Sequence, residues 1–337
     1  MLRAILTGLA GAGKTEVCRE IAEAGPPLSQ GNPRSRDTDA ETWLNRTMIC
    51  GPTGTACNNL SDLGAETLDR CTAVYNTEFS DQQLKALCLV WRGKTRLLID
   101  EFSMVGRVKL AKANHNLNKI FHKLAADEAD DPLDLTCDDM FPYGFGGLDV
   151  FLVGDLGQAP PVQDTSLADV SRCTAASNLS WNWSNKGAEL FRQFLDPHEG
   201  IECLVVRLRR IYRNPNLSPA EIHFKDACVR LRDAAITSQD YKLFQSLADP
   251  DRVKALSANG AVTLVGDNQK CGELNGMKIA QCCPWVHIFE AYFNEDQAKR
   301  QKHRIKEFDA FASFLHLGIG AKVMLTANTI VDVPVVS

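Results

Sequence analysis

The feature that most constrains this 337-residue chain is a glycine-rich loop between a predicted strand and a predicted helix. Residues Gly8–Thr15, GLAGAGKT, match the pattern G-x-x-x-x-G-K-[ST] at every fixed position. The apolar run Leu2–Thr7 before the loop predicts a buried parallel strand, and Thr15–Ala24 after it predicts an amphipathic helix. A strand, a glycine loop and a helix in this order predict an α/β fold with a parallel sheet.

The same loop has the chemistry of a phosphate site. Glycines allow successive backbone N–H groups to turn towards one anion, and the helix N-terminus adds partial positive charge. We expect the lysine ammonium on the β- and γ-phosphates of ATP and the threonine hydroxyl on Mg²⁺. The alternative is a glycine-rich turn without a ligand. The predicted nucleotide-binding residues are Gly8, Gly11, Ala12, Gly13, Lys14 and Thr15.

Two further apolar runs end in carboxylates. The run Arg96–Glu101 ends in Asp100, which we expect to hold Mg²⁺, and Glu101, which we expect to orient and deprotonate a water molecule. The run Leu148–Asp155 is followed by Gln158, whose amide is predicted to contact the γ-phosphate. The alternatives are a solvated acidic strand end and an ordinary glutamine of a surface loop.

Composition limits the class of protein. The chain has 37 basic and 42 acidic residues and a net charge of −5, which argues against general coating of nucleic acid but leaves a local basic channel open. Its 45% hydrophobic content allows a core, and its length predicts about two domains. No apolar run is long enough to span a membrane. The 12 cysteines include no Cys-x-x-Cys pair, so we expect reduced thiols and no disulfide-linked partner.

Four strings occur in a fixed order: Gly8–Thr15, Gly51–Ala56 (GPTGTA), Asp100–Val105 (DEFSMV) and Gly154–Val162 (GDLGQAPPV). Together they resemble the superfamily-one DNA helicases of the petite integration frequency (PIF) type, and the related Helitron transposon helicases have similar strings. The third and fourth strings are the most specific, since many families share the first. The resemblance implies a P-loop NTPase with a first RecA-like parallel-sheet domain at 1–199 and a second, incomplete RecA-like domain at 200–337.

The resemblance also implies roles for residues outside the nucleotide loop. Arg213 matches an arginine that reaches the γ-phosphate from the second domain; the alternative is a solvated basic strand end. Asp69 stands where the family has a histidine, which alters one DNA contact. The family segment that contacts the DNA backbone, for which a tight turn is the alternative, is matched by Pro52, Thr53, Gly54 and Thr55.

The resemblance implies a Mg²⁺- and ATP-dependent helicase that moves 5′ to 3′ on single-stranded DNA. Its substrates would be forked or structured DNA in repair, recombination or telomere maintenance. We expect no membrane partner and an intracellular location, in the nucleus or else the mitochondrion. Relative to the family, the chain is expected to be truncated at both ends. The alternative is therefore a truncated or transposon-derived remnant that binds nucleotide and DNA without unwinding. A P-loop kinase of small molecules would leave Gln158 unexplained.

The second half of the chain has weaker signals. Ile201–Leu208 predicts a strand that begins the second domain, and Ala220–Ile236 predicts an amphipathic helix. Ala261–Val265 predicts a buried strand, and Asp267–Asn275 predicts the start of another helix. The basic run Lys299–Lys306 predicts a solvated helix face, with a phosphate contact or an import signal as alternatives.

Overall fold

The computed structural model describes residues 1–24, 44–129, 136–169, 179–196, 199–213, 216–249, 251, 255, 262–290 and 314–321. The chain divides into two compact units, Met1–Ala235 and Ile236–Ser337. The boundary predicted between residues 199 and 200 therefore lies inside the first unit. The physical reason is strand pairing, because the strand Glu202–Leu208 is hydrogen-bonded in parallel to Leu2–Gly8 and completes the first sheet instead of beginning a second one.

The first unit alternates strands and helices along the chain. Its strands are β1 (Leu2–Gly8), β2 (Thr47–Gly51), β3 (Glu66–Thr67), β4 (Arg96–Ile99), β5 (Asp149–Gly154) and β6 (Glu202–Leu208). Its helices include α1 (Lys14–Glu23), α2 (Gly54–Asn58), α3 (Leu68–Thr72), α4 (Asp81–Trp91), α5 (Arg107–Glu128), α6 (Cys137–Met140), α7 (Leu179–Arg192) and α8 (Pro219–Arg232). The strands form one parallel sheet in the order β3-β2-β4-β5-β1-β6. This is the predicted α/β fold of a RecA-like P-loop NTPase.

The central strands are buried on both faces, since their side chains alternate between two hydrophobic clusters, whereas the edge strand β6 is largely exposed. Leu97 and Ile99 of β4 pack into the cluster that includes residues of α4, α5 and α7. Leu98, between them, packs into the other cluster with Cys18 and Ala22 of α1. Helices on both faces explain why β1, β4 and β5 have almost continuous apolar sequences.

The sheet order brings the sequence motifs together. All strand pairs in this sheet are parallel, so the carboxyl ends of the strands lie at one edge. Strand β5 lies between β1 and β4, with Leu152 paired to Ile5 on one side and to Ile99 on the other. The loops after β1, β4 and β5 are therefore neighbours at this edge, as expected for a ligand site in an open α/β sheet.

The described part of the second unit contains α9 (Ser238–Leu247), α10 (Asn268–Cys282) and the antiparallel strands β7 (Val286–Glu290) and β8 (Phe314–Gly318). Helix α10 begins where predicted, with Asp267 as its N-cap. The strand predicted at Ala261–Val265 is absent from the described residues 262–265, and Leu264 is 92% exposed. A second RecA-like domain stays a prediction, and the basic run at 299–306 lies outside the described residues.

No described helix has the length and apolar character needed to cross a membrane. Within the described residues, no group of three or more His, Cys, Asp or Glu side chains is arranged to hold a metal ion.

Trp91 is a test of the first core. Its indole is fully buried, and its Nε1 donates to the carbonyl of Cys71 at 2.8 Å. We expect Trp91→Phe to lower the free energy of unfolding by about 1–3 kcal/mol, because the carbonyl loses its donor and the smaller ring leaves a void. Urea denaturation followed by circular dichroism measures the change. Leu89→Ala is the control on the same helix, where a 70% exposed side chain predicts a change within about 0.5 kcal/mol. Equal effects of the two substitutions would contradict the packing described.

Candidate nucleotide site and adjoining groove

The loop between β1 and α1 has the backbone geometry of a phosphate cradle. Gly11 and Gly13 have φ of 79° and 88°, a left-handed conformation that glycine adopts without steric cost. Gly13 is the N-cap of α1, and its carbonyl accepts from Val17 N at 3.1 Å. A ten-residue helix thus begins directly at the loop, with its unpaired N–H groups at the strand edge.

Lys14 is the first residue of this helix and is only 8% exposed. Its Nζ donates to the carbonyl of Gly8 at 2.9 Å and to that of Leu9 at 3.3 Å. The ammonium is therefore held over its own loop by two carbonyl groups. A phosphate in the loop would offer it a charged acceptor, which forms a stronger hydrogen bond than a carbonyl does.

The two carboxylates predicted after β4 occupy different environments. Asp100 is 4% exposed, and burial raises its pKa to about 6, although the backbone N–H of Glu101, which donates to it at 2.9 Å, and the charge of Lys14 both oppose this rise. Glu101 is half-buried and has φ 50° and ψ 41°. A left-handed glutamate costs on the order of 1–3 kcal/mol, and such strain is typical of functional positions.

We define the sensor loop as residues Asp155–Gln158, directly after β5. Gln158 is half-buried, and its N–H donates to the carbonyl of Asp155 at 2.9 Å. The loop begins next to the carboxylate pair, since a Cβ on Gly154 would lie 3.0 Å from the backbone nitrogen of Phe102. Strand order thus places the start of the sensor loop between the loops that bear Lys14 and Asp100. The contact of Gln158 with the γ-phosphate stays a prediction.

Arg213 lies in the first unit, and its predicted role at the γ-phosphate stays a prediction. The N–H groups of Tyr212 and Arg213 donate to the carbonyl of Gly11 at 2.8 and 3.2 Å. A Cβ on Gly11 would overlap the Cβ of Arg213. Because β6 pairs with β1, the residues after β6 lie against the phosphate loop, Gly8–Thr15. The backbone of Arg213 is thereby held beside this loop.

The segment predicted to contact DNA follows β2 at the same edge. Pro52 is buried, whereas Gly54 and Thr55 are exposed. Thr53 is the N-cap of α2, and its hydroxyl oxygen accepts from Ala56 N at 3.2 Å. The tight turn considered as the alternative is thus the first turn of a short helix, which presents the small residues to solvent.

A groove of about 550 Å³ adjoins this segment. We call it the Tyr75 groove. It contains two residues of the DNA segment and the end of the fourth sequence string, together with a tyrosine and two lysines that the sequence motifs did not indicate. Its lining residues are Pro52, Thr53, Val74, Tyr75, Met104, Gly106, Val108, Lys109, Lys112, Pro161, Val162, Gln163 and Asp164.

Asp69 organises one side of this groove. Its Oδ2 accepts from Lys109 Nζ at 3.0 Å and from the Tyr75 hydroxyl at 3.1 Å. The Tyr75 ring is nevertheless 83% exposed, so its faces are open to a ligand while its hydroxyl is tethered. The residue that departs from the family pattern thus fixes a cation and an aromatic ring at the surface. A sequence search for isolated lysines and tyrosines could not have found this group, since its members are brought together only by the fold.

Asp164 closes the other side. Its carboxylate accepts from the backbone N–H groups of Val108 at 3.2 Å and Lys109 at 3.1 Å, at the start of α5. Gly106 is required there, because a Cβ on it would overlap the Asp164 carboxylate. A carboxylate at a helix N-terminus is favoured by the helix dipole, so the segment after the sensor loop is anchored to the lysine-bearing helix.

The residues present fit a nucleotide with Mg²⁺. The loop supplies glycines of left-handed φ, a helix N-terminus and an ammonium group, which suit phosphate oxygens. Thr15 and Asp100 would offer hydroxyl and carboxylate oxygens, the ligand type that Mg²⁺ prefers. The raised pKa of Asp100 shows that its charge lacks sufficient compensation in the protein alone.

Comparison with known proteins agrees with this geometry. The family profile of the AAA domain matches residues 2–124, which include β1, the phosphate loop and the carboxylate pair. Among curated proteins, no sequence matches this chain.

Solved structures show the same fold. The Pif1 helicase from Candida albicans has a TM-score of 0.56 at 19% identity, with 97% of this chain and 62% of that chain covered. Bacteroides Pif1 bound to single-stranded DNA has a TM-score of 0.54 at 20% identity, with the same coverages. A structure of two coordinating Pif1 helicases at forked double-stranded DNA has a TM-score of 0.52 at 20% identity, with 94% and 60% covered.

These likenesses define the class of the chain. The chain has the RecA-like P-loop NTPase fold that the solved Pif1 helicases have. This confirms, for the fold, the resemblance noted in the sequence. The chain spans about three fifths of the length of the solved Pif1 helicases that it matches.

The buried Asp100 provides a test of the site without a ligand. Its pKa of about 6 lies above the ordinary value of 3.8 for an aspartate, so the folded state binds the proton more tightly than the unfolded state does. The charged carboxylate therefore lowers the free energy of unfolding, and this effect is complete above pH 6. It disappears as the pH falls towards 4, because the carboxyl is then protonated in the folded state. We expect Asp100→Asn to raise the free energy of unfolding by about 2–3 kcal/mol at pH 7.5, and by less than half of that at pH 4.5.

Urea denaturation at the two pH values, without Mg²⁺ or nucleotide, measures this difference. Asp81→Asn on the exposed start of α4 is the control. A loss of stability in Asp100→Asn at pH 7.5 would show that the carboxylate is a structural group.

Proposed function

We propose that the chain is the ATP-hydrolysing part of a DNA helicase, coupling ATP hydrolysis to movement on single-stranded DNA. The observation that supports this most is the common strand edge, where the phosphate loop, the carboxylate pair, the sensor loop and the Tyr75 groove adjoin in one unit. A nucleotide kinase needs the first two of these features. A groove with two lysines and an exposed aromatic ring beside the sensor loop is what a DNA-driven ATPase needs.

The proposed reaction is attack of water on the γ-phosphorus of ATP with release of ADP and phosphate. Lys14 and the loop N–H groups would bind the phosphates and stabilise the charge that develops on their oxygens. Glu101 would hold the attacking water and accept its proton, and the guanidinium of Arg213 would add charge at the γ-phosphate. Gln158 would contact the γ-phosphate and register its loss.

Mg²⁺, when bound, would neutralise negative charge on the phosphate oxygens. The chain's own contribution is to hold Thr15 and Asp100 where they would bind it. Asp100 is placed by β4 and by its bond from the N–H of Glu101 at 2.9 Å. The same bond fixes the backbone of the proposed base, so the two carboxylates are positioned together.

Single-stranded DNA would lie along the Tyr75 groove. Lys109 and Lys112 would neutralise backbone phosphates, and a base could stack on the exposed ring of Tyr75. Pro52, Thr53, Gly54 and Thr55 would line the backbone at the adjoining strand end. Such contacts depend little on the base sequence of the DNA, as an enzyme that moves along DNA requires. Bacteroides Pif1 was solved bound to single-stranded DNA, which supports this choice of ligand.

The remaining parts of the proposal concern the whole protein. We propose 5′-to-3′ movement, unwinding of forked or structured DNA, and a role in repair, recombination or telomere maintenance, in the nucleus or the mitochondrion. The helicases solved at forked double-stranded DNA support the substrate class. A chain that bound nucleotide and DNA but never unwound DNA would instead be a remnant.

Steady-state ATP hydrolysis with and without single-stranded DNA tests the proposal. We expect DNA to stimulate turnover in the wild-type chain. Lys14→Ala should weaken ATP binding by about tenfold or more, because a charge-assisted hydrogen bond is lost. Glu101→Gln should bind ATP but hydrolyse it at least about 100-fold more slowly, because the water loses its base. An ATP turnover rate that DNA does not change would contradict the coupling of hydrolysis to DNA. An unchanged rate in Glu101→Gln would contradict the assignment of Glu101 as the general base.

The groove is tested by single-stranded DNA affinity. Tyr75→Ala should weaken binding by about 5- to 100-fold, since stacking contributes about 1–3 kcal/mol per base, whereas Tyr75→Phe should retain most of the affinity. Lys112→Gln should lower the slope of log Kd against log salt concentration by about one, because one fewer phosphate is neutralised. Lys85→Gln, at an exposed position on α4, removes the same charge and is the control. Fluorescence anisotropy of a labelled oligothymidylate over a salt series measures both effects. Equal affinities of Tyr75→Ala and the wild type would exclude the groove as the DNA site.

A further inference from the structure

An ion pair joins the sensor loop to helix α8. Asp155, the first residue of the sensor loop, is 2% exposed, and its Oδ1 accepts from Arg232 Nη2 at 2.5 Å. The same oxygen accepts from Gly157 N at 3.0 Å. Arg232 also approaches Asp233, at 3.7 Å, and its side chain is 29% exposed. The buried carboxylate thus holds a guanidinium that comes from 77 residues further along the chain.

Gly157 makes room for this guanidinium. A Cβ at position 157 would overlap Arg232 Nε, and its next contacts would be Cζ and Nη2 at 2.9 Å. Gly157 is not among the described glycines of positive φ, so its backbone conformation is open to other residues. The glycine is therefore explained by the approach of Arg232 and not by the turn.

Helix α8 is otherwise exposed over much of its surface. Ala227 is its one buried residue among those described, while Ile222 and Leu231 are 47% and 53% exposed. The helix predicted as amphipathic therefore buries little of its apolar surface. The ion pair of Arg232 with the buried Asp155 attaches its C-terminal end to the sensor loop. Arg232 is also the last residue of α8, and the second unit begins four residues later at Ile236.

We propose that Arg232 is a positioning residue that ties the sensor loop to α8, so that the state of the nucleotide site is transmitted to the chain segment entering the second unit. The inference rests on the proposed function, since it requires a nucleotide to act on Gln158. Gln158 N donates to the carbonyl of Asp155 at 2.9 Å, so a displacement of the glutamine alters the residue that holds Arg232. The ion pair then moves α8 with the loop.

Amide hydrogen exchange measured by mass spectrometry, with and without a non-hydrolysable ATP analogue and Mg²⁺, tests the inference on the full chain. In the wild type we expect the analogue to slow exchange in the phosphate loop, in the sensor loop and in α8. In Arg232→Gln we expect the analogue still to slow exchange in the two loops. In α8 the factor by which the analogue slows exchange should be smaller than in the wild type by about fivefold or more, the size of a typical coupling between linked sites. Lys225→Gln removes the same charge from the same helix and should behave as the wild type.

Gly157→Ala supplies a second, independent variant. Its methyl group should push the guanidinium from Asp155 and reproduce the loss of coupling in α8. In the Arg232→Gln background the same substitution should have little further effect, because the group it displaces is absent. Arg232→Lys should restore part of the coupling, since an ammonium still pairs with the carboxylate. A thermal melt of each variant shows that it is folded.

Two results overturn the inference in different ways. Protection of α8 that is the same in Arg232→Gln and the wild type, with both loops protected, would overturn the coupling and leave the proposed function intact. Absence of any analogue-dependent protection in the phosphate loop of the wild type would overturn the proposed function, and the inference with it.

Discussion

The whole site depends on the hydrogen-bonded position of β5 between β1 and β4. Because Leu152 pairs with Ile5 on one side and Ile99 on the other, the end of β5 lies about one strand spacing from the end of β1 and from that of β4. These ends bear the lysine of the phosphate loop, the carboxylate pair and the sensor loop. Parallel sheets occur almost only where helices cover both faces, and here a hydrophobic cluster lies on each face of the central strands.

The site is assembled at a cost in stability. Asp100 is buried with its pKa raised to about 6, and Glu101 next to it has a left-handed backbone. Both are unfavourable in the protein alone, and in the proposed function a bound cation would compensate the charge of Asp100. The surrounding core, with Trp91 and Leu97 fully buried, supplies the rigidity that keeps these residues in place.

Much of the first unit could be predicted from the sequence, because its signals are local. Apolar runs predicted β1, β4 and β5, and GLAGAGKT predicted the loop geometry at Gly11 and Gly13. The role of β6 could not be predicted, since an apolar strand does not indicate which sheet it joins. Its pairing with β1 places β6 in the first unit and brings the backbone of Arg213 to the phosphate loop. Long-range polar pairs, such as Arg232 with Asp155, leave no local pattern.

The central claim is that nucleotide and single-stranded DNA bind adjoining parts of one strand edge, and linkage between the two ligands tests it most directly. The measurement is the Kd of a labelled oligothymidylate without nucleotide, with ADP, and with a non-hydrolysable ATP analogue. The account predicts that the Kd differs by about fivefold or more between the two nucleotide states, and that Lys14→Ala abolishes the difference. Equal Kd values in all three states, with the analogue shown to be bound, would contradict it.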